Sequence, residues 1–305
     1  GTAAPILLVA VGTIVSGKAG LINIGQEGQL LVGAAFGTYF GFLIGGPGPF
    51  NLVVIVLFGA LGGALWAGVA ALLKFWRDVP EVLSTLLLVA VGGQLVAYGW
   101  SQSWLLLAPL GDRGNRNQVS KQLPKDNRLP RLEVFGNEIP LAVFIAILSA
   151  IVISLLLERT VWGFRLRMLG RNQRAAQRSG VSRTGYGASA LMISGAFAGL
   201  AGAVMFAGGG FAFGNYQLVP GFATNIGWTG LLVALVAREK ALIAIPVAFV
   251  FAGLRTGSSF VGATGVEGRI TDVIQGFLVL ALLVPPAVMF LRDRGRARAA
   301  ARERA

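Results

Sequence analysis

The residues of this chain that could do chemistry are concentrated in one decapeptide near its start. Residues 20–29, Gly-Leu-Ile-Asn-Ile-Gly-Gln-Glu-Gly-Gln, separate the apolar runs 4–16 and 30–44. Amide side chains both donate and accept hydrogen bonds, so they suit a neutral polar solute. In lipid, an interrupted backbone is tolerated only where protein or a water-filled cavity surrounds it. The decapeptide therefore predicts a path for a solute.

A second copy of this pattern lies in the other half of the chain. Asn-Ile-Gly-x-x-Gly occurs at residues 23–28 and again at 225–230, each time before an apolar run. Residues 81–87 likewise resemble residues 272–278. Matched interruptions in two halves of a membrane protein indicate an internal repeat and its transport path. The predicted path residues are Asn23, Gln26, Glu27, Gln29, Ser84, Thr85, Asn225, Trp228 and Thr229.

Glu27 is the most informative ionisable residue of this set. A carboxylate deep in a bilayer costs about 2.5–3.5 kcal/mol on insertion scales, so it must face protein or water. It either holds the broken backbone, as an acceptor for amides such as those near Gly25, or lines the path and binds solute. Aromatic residues near the second break also allow two interpretations. They either pack within the protein and anchor it at the membrane interface, or they stack on a flat ring of the solute. These residues are Phe206, Phe211, Phe213, Tyr216, Phe222 and Trp228.

The composition assigns the chain to the polytopic membrane proteins. Hydrophobic residues make up 55% of it, charged residues 13%, and its mean hydropathy is +0.72. Soluble domains carry roughly 25% charged residues. The net charge of +13 does not indicate nucleic-acid binding, because the basic residues lie in loops and in the C-terminal tail. The absence of Cys and His excludes metal sites built on those residues, thiol catalysis and disulfides.

The apolar segments predict an all-α membrane protein of about nine transmembrane helices, several shorter than the roughly 20 residues that a bilayer needs. The segments are 4–16, 29–44, 51–75, 82–100, 141–157, 186–207, 227–237, 241–258 and 272–291. Because Gly1 already lies in an apolar run, we expect a first helix to be missing. The predicted membrane domain covers residues 1–291, and residues 292–305 form a basic tail in contact with the cytoplasm.

The distribution of Lys and Arg predicts the orientation in the membrane. Segment 158–185 carries seven Arg and one acidic residue, which marks it as cytoplasmic. Alternation then places the tail and the turn 238–240 in the cytoplasm, and the loops 101–139 and 208–225 outside. The runs after the two Asn-Ile-Gly motifs then cross in opposite directions, as in an inverted repeat.

The arginine-rich cytoplasmic segment predicts a helix that docks on a partner at the membrane surface. Arg171, Arg174 and Arg178 are spaced i, i+3 and i+7, on one face of a short helix. The alternative is a basic loop that contacts lipid headgroups. Residues 12–18, Gly-x4-Gly-Lys, do not predict a phosphate-binding loop, because Ala19 stands where Ser or Thr would bind Mg²⁺. We therefore expect no cofactor on this chain, and ATP and Mg²⁺ on partner subunits.

Several segments together resemble bacterial ABC importer permeases, the group that serves nucleosides, simple sugars and branched-chain amino acids. The nucleoside-type branch is the most similar. Pro80 and Trp228 depart from the residues usual in the group. The resemblance covers nearly the whole chain, and its segments occur in the same order: 20–29, 81–85, 160–181, 193–202 and 254–258.

The resemblance implies a multi-pass permease subunit of the bacterial inner membrane with a cytoplasmic C-terminus. It implies four partner chains: a second permease that is a different paralogue, two ATP-binding cassette subunits and an extracytoplasmic substrate-binding lipoprotein. The arginine-rich segment would be the coupling helix, seated in a groove of the ATPase. Its coupling residues would be Gly163, Phe164, Arg165, Arg167, Gly170, Arg171, Asn172, Arg174, Ala175, Ala176, Arg178 and Gly180.

On this basis we expect a permease subunit without an active site of its own. It would move a small polar solute, in the first place a nucleoside, inward by alternating access, and a simple sugar is the first alternative. An ion-coupled secondary transporter also uses inverted repeats and broken helices. It would need several acidic residues at mid-membrane, where the sequence places only Glu27.

Overall fold

The computed structural model describes residues 1–108, 119–134, 136–209, 216–223 and 225–262, together with Val273, Gly276 and Phe277. The chain divides into two compact units, residues 1–249 and 250–305. The predicted span 272–291, the repeat at 272–278 and the tail lie outside the described residues, apart from the three named. The helices are α1 (Ala3–Lys18), α2 (Gln26–Ile44), α3 (Gly48–Arg77), α4 (Glu81–Ser101), α5 (Leu141–Arg159), α6 (Val161–Arg171), α7 (Gln173–Arg178), α8 (Arg183–Ala207), α9 (Ile226–Val236) and α10 (Ala241–Gly262).

Helix α8 is the centre of the first unit and packs against α1, α2 and α3. Glycine allows its close approach to α3. A Cβ atom on Gly199 would overlap the carbonyl of Gly59, and one on Gly63 would overlap the carbonyl of Gly195. Small residues at such crossings let membrane helices gain van der Waals contact along their backbones. The close crossing of α3 and α8 therefore accounts for part of the high glycine content of the chain.

The helix lengths confirm an all-α membrane fold. Among the described residues, four helices, α3, α4, α5 and α8, are long and apolar enough to cross a membrane, and α1, α9 and part of α10 are shorter apolar helices. Helix α9 has 11 residues, which corresponds to about 16 Å at the usual helical rise. Because the hydrocarbon core is roughly 30 Å thick, α9 reaches about half-way. The segment 227–237, predicted as a span, is therefore a half-length helix.

The chain break after α1 is shorter than the decapeptide suggested. Helix α1 ends at Lys18 and α2 begins at Gln26, so the predicted start of the second span at Gln29 lies one turn too late. The carbonyl of Gly25 already accepts a hydrogen bond from the Gln29 N–H, at 3.0 Å. Gln26 and Glu27 therefore lie in the first turn of α2, where backbone N–H groups lack partners within the helix.

The connecting segments of the first unit collect at two ends. The two loops predicted outside pair with each other, and the Ser120 N–H donates to the carbonyl of Leu218 at 3.0 Å. At the opposite end the C-terminus of α1 meets the turn after α9, where Lys18 Nζ lies 3.2 Å from Glu239 Oε2. Which end faces the cytoplasm stays a prediction.

A β-hairpin lies in the loop between α4 and α5, which the sequence did not predict. Strand β1 (Arg131–Val134) pairs antiparallel with β2 (Asn137–Pro140). Gly136 in the turn has a φ of 75°, a conformation that glycine adopts without steric cost. The hairpin is a small addition to the helical fold, just before α5.

The arginine-rich segment contains two helices rather than one. Helix α6 ends at Arg171, and Asn172 caps the next helix by accepting a hydrogen bond from the Ala175 N–H at 3.1 Å. Asn competes with helical hydrogen bonding through its side chain and is therefore common at caps. The prediction that Arg171, Arg174 and Arg178 share one helix face is wrong, because α7 begins after Asn172.

Candidate solute path

The two Asn-Ile-Gly breaks meet inside the first unit. The Gly227 N–H, in the first turn of α9, donates to Glu27 Oε2 at 2.6 Å. The backbones also touch, because a Cβ atom on Gly227 would overlap the Glu27 backbone N. The N-terminus of α2 therefore abuts the N-terminus of α9, and the two helices run from this contact toward opposite ends. We call this contact, formed by residues 25–29 and 225–229, the junction.

The second break is shaped by a left-handed residue. Asn225 has a φ of 60° and a ψ of 18°, a region that Asn tolerates better than most residues other than Gly. Its carbonyl accepts hydrogen bonds from the Thr229 N–H at 3.0 Å and the Thr229 hydroxyl at 2.7 Å. This arrangement starts α9 abruptly and leaves the N–H of Gly227 available for Glu27.

Glu27 therefore has a structural partner that the sequence did not identify. The predicted acceptor role is present, but its donor is Gly227 of the opposite half rather than an amide near Gly25. The Gly25 N–H donates instead to Asn23 Oδ1, at 3.0 Å. A carboxylate at a helix N-terminus also interacts favourably with the helix dipole. Contact of Glu27 with solute stays a prediction.

Two amide side chains of the first break are bonded to each other. Asn23 Nδ2 donates to Gln29 Oε1 at 2.9 Å, and Gln29 Nε2 donates to Asn23 Oδ1 at 3.0 Å. Asn23 Nδ2 also donates to the Ser194 hydroxyl of α8 at 2.9 Å. Asn23 is 0% exposed, and buried amides of this kind must find partners because an unpaired one is costly. In this conformation the pair holds the break against α8.

Gln26 connects the junction to α1. Its Nε2 donates to the Thr13 hydroxyl at 2.6 Å, and it also reaches the Ser194 hydroxyl at 3.3 Å. Thr13 and Ser194 were missed as members of this network. Both lie within segments that the sequence singled out, 12–18 and 193–202, but a single polar residue among apolar neighbours does not reveal its partner. The predicted contact of Asn23, Gln26 and Gln29 with solute stays a prediction.

The remaining predicted path residues lie around the junction and differ in solvent exposure. Thr85 is buried, and its hydroxyl accepts a hydrogen bond from the Ile24 N–H at 3.3 Å. Ser84 is buried too, and its hydroxyl donates to the Glu81 carbonyl within α4 at 3.2 Å. Thr229 is buried, whereas Trp228 is 40% exposed and Asn225 is also exposed. Thr85 thus ties the break to α4.

A cavity of about 270 Å³ lies beside Glu27. Its lining comes from α2, α4 and the loop before α9. Trp100 at the end of α4 and the loop residues 221–223 place the cavity on the side of the junction where the loops 101–139 and 208–225 pair. The lining residues are Glu27, Leu31, Gly93, Val96, Trp100, Gly221, Phe222 and Ala223. We call it the junction cavity.

A larger cavity of about 580 Å³ lies between α2, α3 and α4, but its chemistry differs. Its side chains are apolar except for Tyr39 and Trp66, and the Trp66 indole N–H donates to the Leu88 carbonyl at 3.1 Å. Phe36 and Leu65, which line it, are exposed on the helix surfaces. This cavity suits hydrocarbon better than a polar solute, so the junction cavity is the better candidate for the path.

The aromatic residues near the second break do not act as one set. Phe206 is fully buried and packs edge-on against Phe42, with ring centroids 6.4 Å apart. The Arg128 guanidinium lies over the Tyr216 ring, 3.9 Å from its centroid. Phe222 lines the junction cavity. Phe211 and Phe213 lie outside the described residues, so the choice between packing and stacking stays open for them.

The predicted coupling residues form a largely exposed surface at the opposite end. A buried cluster of Leu169, Ala176 and Val181 holds α6 and α7 together beneath it. Of the predicted residues, Gly163 and Ala176 are buried and Arg167 is half-buried. The others are exposed: Phe164, Arg165, Gly170, Arg171, Asn172, Arg174, Ala175, Arg178 and Gly180.

This surface touches the break directly. A Cβ atom on Gly170, near the end of α6, would overlap the carbonyl of Lys18 and approach the backbone N of Gly20. A cavity of about 180 Å³ lies alongside, lined by Gly17, Lys18, Arg167, Gly170, Arg171 and Glu239. The predicted coupling segment is thus in backbone contact with the turn that leads into the junction.

Comparisons with known proteins place these features in context. The family model described as "Branched-chain amino acid transport system / permease component" matches residues 1–283. The glucose ABC transporter permease protein TsgB13 of Haloferax volcanii is 32% identical to the chain, over 92% of this chain and 74% of that protein. The guanosine ABC transporter permease protein NupP of Bacillus subtilis is 29% identical, over 95% and 81%.

The nucleoside ABC transporter permease protein NupB of Lactococcus lactis is 22% identical, over 97% of this chain and 81% of that protein. In Bacillus subtilis and in Lactococcus lactis, a second permease protein also matches the chain. No solved structure matches it.

Proposed function

The chain belongs to the family of permease components of branched-chain amino acid transport systems, and from that premise we propose that it carries nucleosides inward. It is an ABC transporter permease component, an integral membrane protein whose relatives are transport subunits rather than enzymes. The family membership decides against the ion-coupled secondary transporter. The finer statements that follow, on solute, direction, partners and mechanism, are the proposal.

The junction carries the proposal. A solute path needs polar groups within the membrane, and these must belong to elements that can move against each other. Glu27 of α2 and Gly227 of α9 come from the two halves of the chain and are joined by a side-chain hydrogen bond. Separation of the two helix N-termini would open the junction cavity toward the opposite end, and their contact closes it. This is alternating access around a fixed point.

Nucleosides are favoured among the possible solutes. Two of the three relatives described above are named for guanosine or nucleosides, and the third for glucose. The sequence resemblance also favours the nucleoside branch. A simple sugar remains the alternative, because the glucose relative has the highest identity of the three.

The proposed assembly has four further chains. A second, different permease is supported by the two matching permease proteins in each of two bacteria. Two ATPase subunits would bind ATP and Mg²⁺, and a lipid-anchored binding protein would deliver solute to the outer loops. The chain would lie in the bacterial inner membrane with its C-terminus in the cytoplasm. Residues 1–291 would form the membrane domain, with 292–305 as its basic tail.

The route of coupling follows from the contact of α6 with the break. If ATPase closure moves α6 and α7, the contact of Gly170 with Lys18 and Gly20 passes that movement to the turn before α2. The Lys18–Glu239 ion pair ties the turn after α9 to the same place. One movement at the cytoplasmic surface therefore reaches both helices of the junction.

Uptake by the reconstituted transporter tests this function. The chain is assembled in proteoliposomes with its second permease, its ATPase subunits and its binding protein, and initial uptake of labelled guanosine and of labelled glucose is measured. We expect guanosine uptake that requires ATP and stops with vanadate. Glucose uptake without nucleoside uptake would establish the sugar alternative. Uptake that follows an ion gradient and ignores vanadate would overturn the proposal.

A further inference from the structure

Part of the loop between α4 and α5 is bonded to the loop that lines the junction cavity. We call residues 119–129 the strap; they pair with segment 216–223, whose last three residues line the cavity. The Ser120 N–H donates to the Leu218 carbonyl at 3.0 Å, and the Leu218 N–H donates to the Ser120 hydroxyl at 2.8 Å. The Gln217 side-chain amide donates to the Ser120 carbonyl at 3.2 Å. These bonds fasten Ser120 to one wall of the cavity.

Ser120 also joins the strap to the chain that continues from α4. It forms an antiparallel bridge with Leu107, and the Ala108 N–H donates to the Val119 carbonyl at 2.9 Å. Leu107 and Ala108 lie shortly after α4, which lines the same cavity. Ser120 is 0% exposed, so water does not compete for its hydrogen bonds. Ser120 therefore bridges two elements that form walls of the junction cavity.

A strained residue lies beside the strap. Tyr216 has a φ of 44°, in the left-handed region that is unfavourable for a bulky side chain. Its carbonyl accepts a hydrogen bond from the Leu123 N–H at 3.0 Å, and the Arg128 guanidinium lies 3.9 Å from the centroid of its ring. Strain of this kind persists only where the surrounding structure enforces it. Contacts with the strap therefore hold Tyr216, and their loss would let segment 216–223 relax.

We infer that the strap closes the junction cavity toward the side of the two loops, and that Ser120 is the positioning residue that keeps it closed. Release of the strap frees segment 216–223 from the end of α4, so the cavity beside Glu27 opens for entry of solute. The inference rests on the proposed function, in which the binding protein delivers solute at this side. Docking of that protein on the loop would displace the strap.

A loosened strap should give a gain of activity, which a damaged protein does not. Initial uptake per ATPase subunit is measured in the reconstituted transporter without the binding protein, using whichever of guanosine and glucose the unsubstituted transporter carries. Ser120→Ala removes the acceptor of the Leu218 N–H. We expect this uptake to rise about three- to ten-fold, the effect of one lost hydrogen bond on the closed state. Because Ser120 is buried, the substitution does not alter the surface offered to the binding protein.

Ser149→Ala is the matched control, because the Ser149 hydroxyl donates to the Ile145 carbonyl of its own helix at 2.7 Å. Its uptake without the binding protein should equal that of the unsubstituted transporter. Arg128→Gln is a second loosening variant, since it removes the cation over Tyr216 and the bond from Arg128 Nε to the Leu123 carbonyl. We expect it to raise the same uptake. Co-elution with the ATPase subunits verifies assembly of each variant.

Two outcomes separate this inference from the proposed function. If Ser120→Ala and Arg128→Gln give the same uptake without the binding protein as Ser149→Ala, while the unsubstituted transporter works with its binding protein, the inference is overturned and the proposed function stands. If the unsubstituted transporter carries neither solute with the binding protein present, both fail.

Discussion

At the residue scale, the polar side chains of the first break hold the chain in an unusual conformation inside the membrane. Asn23 satisfies the Gly25 N–H, the Gln29 amide and the Ser194 hydroxyl together. Removal of one member of such a network costs free energy of folding, because the remaining polar groups stay buried without a partner. The amides therefore hold the break rigidly, and the bond from Gly227 to Glu27 lies at its end.

Removal of one amide tests this view. Asn23→Ala leaves the Gly25 N–H and part of the Gln29 amide without partners, and each such group costs about 1–3 kcal/mol. We expect the free energy of unfolding in detergent micelles to fall by at least about 2 kcal/mol. Gln177→Ala, on the exposed side of α7, is the control and should change stability by no more than about 0.5 kcal/mol. Equal melting curves for the two variants would contradict the network.

The sequence predicted which residues are special here, but not their partners. Asn23, Gln26, Glu27 and Gln29 were found because polar residues are rare in apolar runs. The bond from Gly227 to Glu27 joins residues from the two halves of the chain, and no local pattern encodes such a contact.

At the element scale, the crossing of α3 and α8 depends on backbone contact without side chains between. Gly199→Val would place a branched side chain against the carbonyl of Gly59 and the Cα of Gly63. We expect the variant to lose the folded state in detergent, seen as aggregation in size-exclusion chromatography. Gly253→Ala is the control. A Cβ atom at Gly253 meets no atom within 4 Å, and the exchange favours a helix by up to about 1 kcal/mol. Normal elution of Gly199→Val would refute this account of the crossing.

The presence of each helix was easier to predict than the residues at which it begins and ends. Hydropathy identified every long described span, because apolar length is set by the bilayer. The division of the arginine-rich segment at Asn172 was missed, since periodicity continues across a cap and only the side-chain bond to Ala175 reveals it. The early start of α2 was missed because Gln26 and Glu27 look like loop residues, although their polar groups serve the first helical turn.

At the scale of the whole molecule, charge reversal of basic residues at opposite ends should affect the binding of the ATPase differently. Arg171→Glu combined with Arg174→Glu reverses two exposed charges on the proposed coupling surface. We expect loss of ATP-driven uptake and weaker co-isolation of the ATPase, with an unchanged melting temperature. Lys121→Glu combined with Lys125→Glu makes the same charge change on exposed residues of the loop between α4 and α5.

The second variant should retain the ATPase, because its substitutions lie at the end away from α6 and α7. Full coupled transport by the Arg171/Arg174 variant would count against the proposed coupling surface. Equal loss of the ATPase from both variants would show that net charge, rather than this surface, governs assembly.

We expect the abutting helix ends to influence how the transporter responds to voltage. Each N-terminus carries the equivalent of roughly half a positive charge, so α2 and α9 together contribute about one, which an ionised Glu27 carboxylate balances. An electric field exerts no net force on a junction without net charge. We expect uptake of an uncharged solute to be indifferent to a potassium diffusion potential of either sign imposed across the vesicle wall, and Glu27→Gln to introduce a dependence on that potential.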